Sequence, residues 1–261
     1  MSALLGDVQD DLRRESEQLD ALVAPLDAGG WRSPTPAEGW TIAHQIAHLA
    51  WTDEWAIAAA TDKDAWDATV VQALADPEGF VDAGAGAGAT ADPATLLERW
   101  RASRQRLAGV LDSLPAGTKL PWYGPPMSPT SMATARFMET WAHARDVADA
   151  LAVTLPADDG VRHVVHIGVR TRDFSFRNRE LDPPAEEFRI ELTLPGGGEL
   201  AYGPADAAQS VTGAAYDFAL LVTQRRHRAD LDLIAKGPDA ERWLEIAQAF
   251  AGPAGPGREP R

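Results

Sequence analysis

The reading of the fold turns on METWAHARD, residues 138–146. Glu139 and His143 stand four apart, a spacing that puts both on one face of a helix, and Asp146 shares that face. Ser128-Pro129 supplies an N-cap followed by proline at the first helical position, so this helix is expected to run from there to about Leu151. On spacing alone, a Glu–His pair is an ordinary surface pair that contributes only about a few tenths of a kcal/mol. Helical bundles also use inward-facing Glu and His side chains to hold metals, and a second segment decides between the two.

That segment is IAHQIAHLAW, residues 42–51. His44 and His48 are again four apart, and Trp51 and Trp55 continue the face. Ile42, Ile46 and Leu49 occupy another face, so the helix is apolar nearly all round and must be largely buried. A buried histidine needs a polar partner. HQIAH resembles the H-E-x-x-H of zinc peptidases, but Gln45 replaces the glutamate that acts there as general base, which argues against peptidase chemistry. Two histidine-bearing helices, each with a partner at i+4, point to a metal.

Outward from these helices, residues 3–24 carry Leu5, Val8, Leu12, Leu19 and Leu22 at helical spacing, with Glu15 interrupting the stripe. Pro25 and Gly29-Gly30 break it, and Thr41 caps a helix expected to reach about Ala60. A short helix is expected around 65–75. The GAGAGAGA run at 83–89 and its neighbours reads as a flexible surface loop. Asp92-Pro93 starts a helix carrying Leu96, Leu97, Trp100, Leu107, Leu111 and Leu114, and residues 118–127 are loop. Four helices of this length suggest a bundle over residues 1–155. After Pro156 the pattern changes. A helix is expected over 159–169, an alternating strand over 188–194, a turn at Pro195–Gly198 and a second strand over 200–203. A helix over 213–226, a strand over 231–235 and a helix over 239–250 complete a small α+β domain, residues 156–250, with a frayed tail, 251–261. The fold class expected is therefore mostly α, a four-helix bundle with a smaller C-terminal α+β domain.

The chain has 261 residues, 45% of them apolar, and a net charge of −15. No run reaches the roughly 18 apolar residues of a membrane span, and the charged N-terminus has no signal-peptide core. With no cysteine there is neither a disulfide nor a thiolate site, which fits a cytoplasmic protein. The acidic surface disfavours nucleic acid and anionic membranes as partners. Against that background two basic knots stand out: Arg170, Arg172, Arg177 and Arg179, then Arg225, Arg226, His227 and Arg228.

The GW at 39–40 followed by IAHQIAHLAW resembles the helix signature of the DinB-like, mycothiol-dependent maleylpyruvate isomerase family, and METWAHARDVADAL resembles its second metal-binding helix. VTGAAYDFALLVTQRRHR, residues 211–228, is similar to the family's C-terminal helix that ends in arginine. The chain looks closest to an actinobacterial, metal-binding branch. The resemblance implies a DinB-like bundle, with His48, Glu139 and His143 as metal ligands and His44 outside the set. It also implies a functional arginine at Arg225, where Gln224 departs from the glycine usual before it, and it names no substrate.

Two histidines and a carboxylate leave an open position, the pattern of catalytic zinc. Such an ion lowers the pKa of a thiol or water bound to it. The chain has no thiol of its own, so a low-molecular-weight thiol such as mycothiol is the expected cosubstrate, acting by transfer or isomerisation on a small, anionic, electrophilic substrate. Arg225 and Arg226 are candidate catalytic residues and Arg170 and Arg172 candidate cofactor-binding residues, since a guanidinium grips carboxylate or phosphate in two places. The second domain is expected to bring this charge to the metal site. The bland alternative pairs these arginines with Asp173, Glu186, Glu187 or Asp217. Three other functions remain open from sequence: a thiol-independent hydrolase, lyase or cyclase; non-haem iron chemistry, whose two-histidine, one-carboxylate triad usually sits on a β-barrel rather than a bundle; and a non-catalytic metal-binding protein.

Overall fold

In the computed structural model, which describes residues 3–255 and 257–261, the chain divides into two compact units, residues 1–155 and 156–261. The first holds α1 (Ala3–Val23), a single turn α2 (Ala28–Trp31), α3 (Ile42–Thr61), α4 (Lys63–Ala75), α5 (Phe80–Ala89), α6 (Pro93–Ser113) and α7 (Pro129–Ala150). The long helices α1, α3, α6 and α7 pack as a bundle. Asp92 and Ser128 cap α6 and α7, each ahead of a proline, because proline lacks the N–H that a first helical turn leaves unpaired.

The bundle core forms two clusters. One joins Leu19, Ile46, Leu49, Trp100 and Val147; the other joins Val8, Ile57, Leu107, Leu111 and Met132. The apolar stripe of α1 is broken at Glu15 because α7 supplies its partner: Arg145 Nη1 donates to Glu15 Oε1, both side chains are buried, and the guanidinium lies 4.2 Å from the Trp141 ring centroid. A second buried pair links α3 to α7, with Arg136 Nε donating to Asp53 Oδ1 at 2.9 Å and Ser103 Oγ donating to Asp53 Oδ2 at 3.1 Å.

The glycine-alanine run is not a loop. It is the body of α5, packed on α3. A Cβ on Gly84 would stand 2.7 Å from the Trp51 ring, and one on Gly88 would stand 2.8 Å from Ala47 Cβ. Glycines one helical turn apart let the two backbones approach, and that contact offsets the low helix propensity of glycine.

The second unit comprises α8 (Arg162–Arg170), α9 (Arg172–Arg177), β1 (Arg189–Thr193), β2 (Glu199–Tyr202), β3 (Ser210–Ala214), α10 (Ala215–Val222), β4 (Leu233–Lys236) and α11 (Pro238–Ile246). The strands lie in the order β2-β1-β3-β4, with β1 and β3 parallel and both outer pairs antiparallel. The segment expected as one helix over 213–226 is therefore a strand followed by a shorter helix. Ser210–Thr212 adopt strand geometry between β1 and β4. Gly213, at φ 148°, lets β3 pass so close to β4 that a Cβ there would meet the Asp232 carbonyl oxygen at 2.7 Å. The helix α10 stops early because Gln224 turns left-handed, at φ 57°. The amide of Arg225 then reaches back to Leu220 O at 2.8 Å and that of Gln224 to Leu221 O at 2.9 Å, a Schellman closure.

The final strand and helix are also shorter than their periodicity suggests: α11 ends at Ile246, after which Ala249 N donates to Val222 O at 2.7 Å. The described tail residues make hydrogen bonds to the rest of the second unit. Asn178 Nδ2 holds Gly252 O at 3.1 Å, Arg179 Nη2 holds Gly255 O at 2.7 Å, and the Arg261 amide donates to the Asp230 carboxylate at 3.1 Å.

Candidate metal centre

Helices α3 and α7 bring His48, Glu139 and His143 together. Glu139 Oε2 lies 3.1 Å from His48 Nε2 and 3.3 Å from His143 Nε2, and the three potential ligand atoms lie within 4.8 Å of one another. His48 and His143 are buried, while the Glu139 side chain retains 24% exposure. Burial opposes ionisation of Glu139, but the hydrogen bonds and charge of His143 and His48 outweigh it and hold the carboxyl well below the usual carboxylate range. His44 stands apart from the triad: its Nδ1 accepts from the Thr41 amide at 3.2 Å and lies 2.8 Å from Thr41 Oγ1, closing the N-terminus of α3.

The donor set fits a divalent ion. Two imidazoles and one carboxylate are donors that zinc accepts, and non-haem iron as well, and the surroundings of His143 also favour a cation. Its Nδ1 faces Gln45 Oε1 and its Nε2 faces Glu139 Oε2. Both are acceptors, whereas a neutral imidazole has one N–H. The second contact is favourable only if the ring is protonated or a cation lies between nitrogen and carboxylate. At His48, Nδ1 is buried with no hydrogen-bond partner among the described residues, so its ring lacks the second anchor that His143 has.

Aromatic rings surround the triad. Trp40 stacks on His143 with centroids 5.9 Å apart and planes 11° apart, and lies 5.4 Å from His48. Its Nε1 donates to Asp82 Oδ1 of α5 at 2.9 Å. Trp51, 6.3 Å from His48, continues to Phe80 at 5.0 Å, and Phe80 to Tyr123 at 5.9 Å. Segments 61–91 and 118–127 thus meet in one aromatic cluster that includes Trp66 and Trp122. Sequence reasoning gave Gln45 and Trp40 no place in the site. The only signals were the Gln in HQIAH and the GW before the helix, and their partners are remote in the chain.

The arginines lie in the second unit. Arg172 pairs with Asp173 at 2.7 Å and donates to Glu186 O at 2.9 Å. Arg225 donates to Thr223 O and Arg226 to Arg225 O, each at 2.6 Å, and Arg228 donates to Leu231 O and Leu233 O. Arg170 is exposed at the end of α8; partial burial, then its charge, lowers the pKa of His166. Arg226 joins Arg179, Arg228 and Arg258 in lining a cleft of about 770 Å³, with Glu241 and Glu245. Arg170, Arg172 and Arg225 are not among that cleft's lining residues.

The class so defined is a helical bundle with a histidine on its second long helix and Glu-x-x-x-His on its fourth, three side chains that could hold a metal ion. Within that class, residues 12–148 match the family described as mycothiol maleylpyruvate isomerase N-terminal domain, and the chain belongs to this family. Two uncharacterized proteins of Mycobacterium tuberculosis, from strains H37Rv and CDC 1551, are each 57% identical over 248 residues, covering 95% of this chain and 96% of the relative. Among solved structures, the fold is similar to that of a mycothiol-dependent maleylpyruvate isomerase, with a TM-score of 0.59 at 15% identity over 92% of this chain and 99% of that one. A histidine-to-alanine mutant of that enzyme matches equally well. Among the described residues, no helix is long and apolar enough to cross a membrane.

Proposed function

We propose that the protein is a cytoplasmic, metal-dependent enzyme that uses a low-molecular-weight thiol, mycothiol in the first instance, to isomerise or transfer onto a small anionic electrophile. The observation that carries this reading is the convergence of His48 Nε2 and His143 Nε2 on one oxygen of Glu139. It is supported by membership of a family described by that thiol and that isomerisation.

His48, Glu139 and His143 would hold the ion, zinc by the chemistry of the donors. Such an ion supplies Lewis acidity that favours the ionised form of a thiol or water at its open position. Glu139, held ionised, offsets part of the ion's charge. Trp40 covers the two imidazoles and limits the approach of water. The half-buried rings of Trp51 and Phe80 offer an apolar wall to the body of the substrate. For isomerisation, the thiol sulfur adds to an activated double bond, the resulting single bond rotates, and the same sulfur leaves as the double bond re-forms, so no thiol is consumed. Transfer stops after the addition, with the proton delivered to the adjacent carbon. Arg225 and Arg226 are assigned to the anionic group of the substrate, and Arg170 and Arg172 to the thiol cosubstrate.

The test is turnover of maleylpyruvate, and of related activated alkenes bearing a carboxylate, by the zinc-loaded protein with and without mycothiol. Turnover only with the thiol is expected. Equal turnover without it would replace this reading with hydrolase, lyase or cyclase chemistry. For Arg225→Ala, a loss in kcat/KM of about tenfold or more, roughly 1.4 kcal/mol of transition-state binding, with an unchanged melting temperature is expected. Unchanged kcat/KM with a lowered melting temperature would make Arg225 structural.

A further inference from the structure

The contact between Gln45 and His143 belongs to a longer chain of hydrogen bonds whose direction can be worked out. The loop before α3 folds back on itself, so that the Thr35 amide donates to Trp40 O at 2.8 Å. Thr35 Oγ1 also donates to Trp40 O, at 3.0 Å. A hydroxyl has one proton, so the same oxygen is left as an acceptor, and Gln45 Nε2 donates to it at 2.8 Å. That fixes the amide: its NH2 end faces Thr35 and its carbonyl oxygen faces His143 Nδ1. A carbonyl only accepts, so His143 carries a proton on Nδ1, and Nε2, facing Glu139, is the nitrogen left for a cation or a second proton. Gln45 is fully buried.

We propose that Gln45, oriented by Thr35, is the positioning residue that sets the tautomer and ring angle of His143 for metal binding. The glutamine that argues against peptidase chemistry in HQIAH thereby gains a role of its own. It points across to α7 rather than toward a substrate, and it does for an imidazole ligand what a carboxylate or backbone carbonyl does at many zinc sites. The inference rests on His48, Glu139 and His143 being the ligands, but it makes one claim that needs no metal: His143 Nδ1 is protonated in the metal-free protein.

Two measurements separate the relay from the metal reading. The first is long-range proton–nitrogen NMR of the His143 ring in the metal-free protein, in the native chain and in Gln45→Leu. The native ring should keep its proton on Nδ1; in Gln45→Leu the proton should move to Nε2, where Glu139 accepts it. A native ring protonated only on Nε2, or a spectrum that Gln45→Leu leaves unaltered, overturns the proposal even if metal binds. The second is the affinity for Zn²⁺, with the visible spectrum of the Co²⁺ form, in Gln45→Leu, Gln45→Glu and Thr35→Val. Loss of an outer partner costs about 10–100-fold in metal affinity, so Gln45→Leu should fall in that range with an altered Co²⁺ spectrum. Gln45→Glu, which still accepts from Nδ1, should restore affinity to within about tenfold of native. Thr35→Val frees the amide to turn over, and should fall between the two. Native affinity and spectrum in Gln45→Leu, with binding abolished in His143→Ala, overturns the relay while leaving the metal site in place. If the native chain binds neither ion but shows the Nδ1 proton, the Gln45–His143 hydrogen bond stands, while the metal reading fails and with it the role in metal binding. Should Gln45→Leu not fold, the same comparisons on Gln45→Glu and Thr35→Val decide the matter.

Discussion

Gly84 of α5 lies directly against the indole of Trp51 in α3, so close that even a methyl group would overlap the ring at 2.7 Å. Gly86, two residues on, has open space around its missing Cβ. The two positions separate the packing role of glycine from its backbone cost. Gly86→Ala should raise stability by about 0.5–1 kcal/mol, the ordinary gain in helix propensity. Gly84→Ala should lower it by about 1–3 kcal/mol, the range for overpacking, and shift tryptophan fluorescence as Trp51 moves. Denaturant unfolding of both variants checks this; an equal response at the two positions would mean that α5 does not sit tightly on α3.

The Asp53–Arg136 pair should behave as a buried ion pair. Asp53→Ala strands a guanidinium in the core and should cost about 3–5 kcal/mol. Replacing both partners with apolar residues, Asp53→Leu with Arg136→Met, should recover most of that loss in the same unfolding measurement, because no unpaired charge remains.

Asp20 receives hydrogen bonds from Arg101 and Arg104. The Arg101 hydrogen bond, opposed by burial and aided by the charges of both arginines, lowers its pKa. A carboxyl depressed in the folded state stabilises the fold above its unfolded pKa, about 3.9, and loses that contribution as pH falls through the lower folded value. Asp20→Asn should therefore lose stability at neutral pH and show a shallower acid limb below about pH 4. A stability-against-pH profile parallel to that of the native protein at acid pH would contradict the assignment.

Gln224 occupies a left-handed position, at φ 57°, where a side chain costs roughly 1–2 kcal/mol. Gln224→Gly should relieve that strain, and a rise in melting temperature with an unchanged circular dichroism spectrum is the expected outcome.

These contacts show which parts of the molecule a sequence can disclose. Helical spacing puts Glu139 and His143 on one face, and an apolar helix cannot bury its histidines without partners, but the choice of His48 rather than His44 as their companion rested on the family resemblance. The helical nature of α5 was not, since glycine and alanine in alternation look like a linker until Trp51 and Ala47 are seen against it. Strand β3 was hidden for another reason: residues from Gly213 onward read as the start of a helix, yet Gly213 is the residue that lets β3 lie close to β4. Glu15 looked like a flaw in the α1 stripe because its partner, Arg145, is 130 residues away. The role of Gln45 depends on His143, 98 residues distant, and no local pattern reports a contact of that kind.

The central claim, that α3 and α7 form one metal site, is tested most directly by titrating the metal-free protein with Zn²⁺ in a calorimeter, alongside Glu139→Gln and His143→Ala. The account predicts saturable binding of one ion per chain to the native protein and loss of that binding in both variants, with melting temperatures showing that each remains folded. Saturable binding that survives in both variants, or a folded native chain that takes up no zinc, would contradict it.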